Sequence, residues 1–171
     1  MHRITTGLMI FGFATASVFA QGQRQIPTPS QGINRQFNYV TGKVLEMAKD
    51  FPEDKYNWRP ADGVRSFGEV ILHITGGTIY AAKAGRGENV QWDELEAKDY
   101  TTKAAIVAVL EKSIKDSTAT LKATPAEAFN KTLTPWLAVI EHTAEHYGQL
   151  VVYYRANGLV PPESRPKTSS N

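Results

Sequence analysis

Three histidines carry the chemistry that this sequence offers. His142 and His146 are spaced H-x-x-x-H, His73 lies in an earlier segment of helical pattern, and the fourth histidine, His2, stands near the N-terminus. Residues i and i+4 of a helix lie one turn apart on the same side, so His142 and His146 can turn both imidazoles toward one ion. Imidazole suits zinc, nickel, copper and iron. Three histidines with an open fourth position make a catalytic style of zinc site, whereas structural sites are closed by four protein ligands. A metal held in this way activates a bound water or a bound substrate anion. The chain has no cysteine, so protein ligands must be histidine, carboxylate or carbonyl oxygen, and thiol nucleophiles and disulfides are excluded.

Other residues qualify that reading. The glutamate of an H-E-x-x-H site is missing, because Thr143 follows His142. Glu141 and Glu145 project largely away from the histidine stripe and read as a solvated face. At ~100° per residue, Gln149 and Tyr153 continue the stripe. They are either supports for a ligand histidine, or contacts to a substrate, or helix-packing residues at the bundle edge. Arg59 and Arg65 are read first as surface or structural residues and second as contacts to an anionic substrate. Trp58, Trp92 and Trp136 are read as packing residues. Spacing alone leaves two accounts of the histidines open, a metal site or three partly buried rings with ordinary hydrogen bonds.

The elements that must position these residues are helical. A first helix is expected from about Ile33 to Lys49, with Phe37, Val40, Val44, Met47 or Ala48 and Phe51 on one face and Pro52 beyond its end. The second opens on Ser66-Phe67-Gly68-Glu69, a capping box in which Ser66 and Glu69 satisfy each other's backbone N–H groups. Phe67, Val70, Ile71, Ile74, Thr78 and Ala81 form its face, and Gly85 and Gly87 end it. Gly76-Gly77 in mid-helix costs about 1 kcal/mol per glycine relative to alanine. The pair marks either close approach of a helix or ligand, or simple tolerance. The third helix runs from about Thr102 to Lys122, with Ile106, Val109, Leu110, Ile114 and Leu121 on one side. The fourth opens on Thr134-Pro135, as N-cap and first helical residue, and closes on Asn157-Gly158. Its face is Trp136, Ile140, Thr143, Tyr147, Leu150 and Tyr154. The histidines fall about 100° from the centre of each face, at the margin of the core. Four helices and no convincing strand make an all-α four-helix bundle. The connections over 50–65 and 85–101 exceed the 2–8 residues usual in simple bundles, so they either carry function or cross the bundle end.

Composition bounds the rest. The chain has 171 residues, 42% of them hydrophobic, enough for one domain with its own core. Nineteen Lys and Arg against seventeen Asp and Glu give a net charge of +2, with no basic run of the kind nucleic-acid binding requires. Residues 1–20 read as a signal peptide: Met1-His2-Arg3, an apolar stretch from Gly7 to Ala20, and a cleavage site after Ala20 formed by Val18-Phe19-Ala20. The alternative is an uncleaved N-terminal anchor. Residues 21–32 are expected to be a disordered leader, 33–160 the bundle and 161–171 a loose tail. The protein is therefore expected to be periplasmic or secreted. No membrane anchor is expected after cleavage; a small-molecule substrate is, and a homodimer is compatible with the pattern.

Four passages together resemble the DinB-like (DinB/YfiT-like) superfamily of four-helix-bundle proteins. Tyr56-Asn57-Trp58-Arg59-Pro60 with Gly63-Val64-Arg65-Ser66 is similar to its loop between helices 1 and 2. Ser66 to Ile74 is similar to its second helix, with His73 in place. His142-Thr143-Ala144-Glu145-His146-Tyr147-Gly148-Gln149-Leu150 resembles its fourth, and Tyr154 to Pro162 its ending. The resemblance implies that His73, His142 and His146 hold one divalent metal, often zinc or nickel, with water completing the shell. It also implies chemistry like that of relatives that are thiol S-transferases or a thiol-dependent isomerase, in which the metal activates a thiolate. Those relatives work in the cytoplasm, whereas this chain carries an export pattern. The functional expectations are thus a metal-dependent transferase or hydrolase, a non-catalytic metal or small-ligand binder outside the cytoplasm, and, behind both, a purely structural bundle.

Overall fold

The computed structural model describes residues 26–166. The 1–20 signal segment, residues 21–25 of the leader and residues 167–171 of the tail lie outside the described residues. All helical elements expected from the periodicity form, and no strand occurs among the described residues. Four long helices, α1 (Pro29–Asp50), α2 (Phe67–Gly85), α3 (Lys103–Ala123) and α5 (Leu133–Ala156), are joined by loops, and a single-turn α4 (Ala126–Phe129) precedes the last of them.

Several ends differ from expectation for identifiable reasons. α1 begins at Pro29, not near Ile33, because Thr28 and Gln31 form a capping box and Pro29 takes the first turn, where its missing N–H costs nothing. Residues 29–32 therefore belong to the bundle. α5 begins at Leu133, so Pro135 sits at its third position and Thr134 is not its cap. A proline is tolerated there because first-turn N–H groups have no intrahelical partner. The expected caps on α2 and α3 are present: Ser66 and Glu69 bond reciprocally, and the Thr102 hydroxyl accepts from Ala105 N. Gly158, at φ 72°, ends α5 in the left-handed conformation that a side chain would resist.

Each long helix packs chiefly against two neighbours. α1 and α2 both touch α3 and α5, so α1 lies diagonally across from α2, and α3 across from α5. Residues 51–66 therefore span a diagonal, and so do residues 124–132, which include α4. The 86–102 connection joins adjacent helices and is longer than that step requires. Its extra length covers one side of α2, where even Gly76, Gly77 and Ala82 are buried.

The core has an aromatic end and a mixed end. At the first, Phe51 and Phe67 stack with centroids 3.8 Å apart, and Tyr56, Tyr153 and Tyr154 pack around them. Their hydroxyls are satisfied by backbone: Tyr56 donates to Ala48 O and Tyr154 to Met47 O at 2.9 Å. At the second, Phe37 and Trp136 meet edge to face with Leu121, Phe129 and Val139. Val139 and Tyr153, absent from the expected face of the last helix, are buried, whereas Ile140 and Tyr147 are only half-buried. The buried side of α5 is thus rotated toward the histidine stripe.

The chain after α5 is not wholly loose. Pro161 is buried, and the Arg165 guanidinium grips Asp50 through two bonds, Nη1 to Oδ1 at 2.8 Å and Nη2 to Oδ2 at 2.5 Å. Residues 161–165 are clasped to the end of α1. Arg165 first, and then Tyr154, hold the Asp50 carboxyl below the usual carboxylate range against the opposing effect of burial. A carboxyl whose pKa is lower folded than unfolded stabilises the fold above its unfolded value, and the contribution disappears as pH falls through the folded one. Asp50→Asn is expected to cost about 0.5–1 kcal/mol at neutral pH, as for a largely exposed pair. Urea denaturation should show the gap to the parent closing at acid pH; a gap that persists below pH 3 would contradict the assignment.

A candidate metal centre between two helices

α2 and α5 are adjacent, and each presents histidine to their seam. His73 and His142 place their Nε2 atoms 2.8 Å apart. The ring centroids of His73, His142 and His146 are 4.4–4.7 Å from one another, with one ring nitrogen of each within 4.8 Å of the other two. All three residues are half-buried. The structure thus brings together the three histidines singled out by spacing, and the cluster could hold a metal ion. Glu141 and Glu145 are exposed on the other side of α5.

The hydrogen bonds around the rings decide which nitrogens are free. The Tyr153 hydroxyl donates to Arg65 O, which leaves its oxygen to accept from Gln149 Nε2 at 3.4 Å. Gln149 must then turn its carbonyl to His146, whose Nδ1–H donates to Oε1 at 2.6 Å. His146 Nε2 is left as a bare acceptor. The same logic holds at His73. Its Nδ1 lies 2.5 Å from Glu94 Oε1, and a carboxylate can only accept, so Nδ1 carries the proton and Nε2 the lone pair. His142 Nδ1 is buried with no partner among the described residues. With the His142 proton on Nδ1, its Nε2 lone pair meets that of His73 at 2.8 Å, a repulsion that a cation among the rings turns into ligation. The donor set therefore fits a divalent metal.

Electrostatics favour the ligating form of His73 and His142. Burial first, then the neighbouring His146 and His73 and finally Arg65, push the His142 pKa down to about 4. Burial also lowers His73, with Glu94 pulling the other way. Both imidazoles are neutral at physiological pH, as metal ligation requires.

Two of the closest neighbours of the histidines come from the 86–102 connection and carry no motif in the sequence. Glu94 bonds His73, and Trp92 packs edge-on to His142 with centroids 4.5 Å apart while stacking on Tyr80. Gly76 and Gly77 explain how this strap reaches α2. A Cβ on Gly76 would lie 2.5 Å from Asp93 O, and one on Gly77 would collide with the Trp92 ring. The close approach is made by the strap, neither by another helix nor by a ligand. Gly77→Ala should expel Trp92 from its seat while gaining about 1 kcal/mol of helix propensity. The expected result is greater acrylamide quenching of Trp92, read in a background lacking the other two tryptophans, with little change in overall stability.

Arg59 and Arg65 are engaged within the chain. Arg59 donates to Val64 O and pairs with Glu69 at 3.2 Å; Arg65 reaches Glu94 at 3.3 Å. A polar cleft of about 310 Å³ between the starts of α2 and α3 is lined by no histidine; of its charged residues, Arg59, Glu69 and Lys103 are bonded to protein, and Glu53 completes the set.

The sequence profile of the DinB superfamily matches residues 36–153, a span that contains all three histidines, the strap and every helix core. No curated protein matches the chain significantly. With four packed helices and the histidine cluster between two of them, the chain belongs to the DinB superfamily.

Proposed function

We propose that the protein binds one divalent metal, zinc or nickel, through His73, His142 and His146, and uses the open coordination position to activate a thiol or a water for transfer or hydrolysis. The observation that carries this reading is the fixed tautomer of two rings. Glu94 and Gln149 take the Nδ1 protons of His73 and His146, so both Nε2 lone pairs are free for a metal. When bound, the metal supplies Lewis acidity, lowering the pKa of a coordinated water or thiol. The chain's own residues supply the rest. Gln149 and Tyr153 hold His146 in orientation, and Trp92 closes the side of His142. With three protein ligands and no carboxylate among them, an exogenous group completes the shell.

The experiment is metal analysis of the purified chain after reconstitution with zinc or nickel, followed by assay against thiol–electrophile pairs and simple esters and amides. One equivalent of metal with turnover supports the reading. One equivalent without turnover favours a non-catalytic binder of a metal or small ligand. Less than stoichiometric metal, unchanged by His146→Ala, refutes both.

Location is a separate proposal. Arg3 followed by the apolar stretch to Ala20 supports export to the periplasm or beyond. Among the described residues, no helix is long and apolar enough to cross a membrane. Protein from the cell envelope whose N-terminal sequence starts at Met1 would contradict cleavage after Ala20.

A further inference from the structure

We infer that Glu94 is a positioning residue of the metal centre, acting through His73 and opposed by Arg65. Glu94 is on the strap, far in sequence from the histidine pair, and it bonds His73 Nδ1, the ring nitrogen away from His142. It is absent from the group of ligand atoms that converge within 4.8 Å, so it is not a fourth ligand. Its position is that of the carboxylate in a carboxylate–histidine–metal relay, which fixes tautomer and ring orientation and raises the basicity of the ligating nitrogen.

The three supports around the cluster are unequal. His73 has an anionic partner, His146 a neutral amide, and His142 Nδ1 no partner among the described residues. Among the described residues that bond these rings, only Glu94 places negative charge beside a centre whose three ligands are imidazoles and which would carry the double charge of the ion. Arg65 donates through Nη2 to the same oxygen, Oε1, that accepts from His73. It therefore competes for the lone pairs on that oxygen and offsets the charge. The glycine pair under the strap is what lets Glu94 reach this position, because Asp93 O lies where a side chain on Gly76 would be.

This inference rests on the metal-binding reading, and two measurements separate the two. The first uses the metal-free protein. Long-range ¹H–¹⁵N correlation at the imidazoles should show His73 as the Nδ1–H tautomer in the parent, a preference lost in Glu94→Ala. The second is competition for zinc against a chromophoric chelator. Glu94→Ala is expected to weaken zinc binding roughly 10–100-fold. Glu94→Gln should lose less, since its amide oxygen still accepts from Nδ1–H, and Arg65→Gln should bind zinc at least as tightly as the parent. Equal melting temperatures of the metal-free variants would exclude a general loosening of the strap. The inference is overturned if His73 keeps its Nδ1 proton without Glu94, or if Glu94→Ala and Glu94→Gln both bind zinc within two-fold of the parent. A parent that binds no zinc but shows the Nδ1–H tautomer would refute the metal reading and leave Glu94 as the group that orients His73.

Discussion

His146→Ala is expected to weaken divalent-metal binding by at least 100-fold, roughly, because it removes one of three ligands where loss of a supporting residue alone costs 10–100-fold. His146 is half-buried and packs at a seam, not at the core centre, so the variant should fold. Two readouts should move together. Chelator competition should show the loss of affinity directly. Thermal unfolding should show it through linkage, since a ligand at 100 times its dissociation constant stabilises the native state by about 2.7 kcal/mol. The zinc-dependent rise in Tm expected of the parent should largely vanish in the variant, while the two metal-free proteins melt together. His142→Ala should behave alike, with one difference: it also removes the buried, unpartnered Nδ1, so its metal-free form should be no less stable than the parent. A parent without a zinc-dependent rise, or a variant that keeps it, would defeat the metal assignment.

Phe67→Ala should destabilise the fold by about 3–5 kcal/mol, the range for emptying a fully buried aromatic site. Phe67 is wholly buried and meets Phe51 face to face at 3.8 Å, with Tyr56 edge-on at 5.2 Å and Tyr153 and Tyr154 beyond. These rings come from the 51–66 connection, α2 and α5, so no single element can move to fill the gap. Urea denaturation should give a lower midpoint at an unchanged m-value; a loss below about 1.5 kcal/mol would mean that the cluster collapses freely. Phe67→Leu should cost much less, because most of the volume is kept. The substitution should also reach the metal centre. Tyr153 packs on Phe67 and orders Gln149, which holds His146, so the alanine variant should bind zinc more weakly than the leucine variant even where both are folded.

Much of this arrangement was legible from local chemistry. Ser66 and Glu69 announce the start of α2 because a capping box is satisfied within four residues. The apolar residues of α1 and α2 recur at helical spacing, and all those singled out are buried. α5 starts two residues before the position that Thr134-Pro135 suggests, because that pair fits a cap and first position as well as it fits a first turn already under way. α1 starts earlier than its periodicity suggests, because Thr28 and Gln31 precede any apolar residue of the helix face and leave no period. Gly76-Gly77 showed that something comes close, but not what. The answer, Trp92 and Asp93, lies in a segment with no periodicity of its own.

The sequence by itself determined the helices, the bundle class and the three histidines as candidate ligands. Each of these follows from contacts within a few residues or from the pitch of a helix. It did not determine that Glu94 meets His73, that Trp92 seats against His142, that Tyr153 bonds Arg65, or that Arg165 clasps Asp50. Those pairings depend on which helices are neighbours and on the path of a connection longer than its gap requires. Only the tertiary structure decided them, because a hydrogen bond between residues 21 or 115 positions apart leaves no period in the chain.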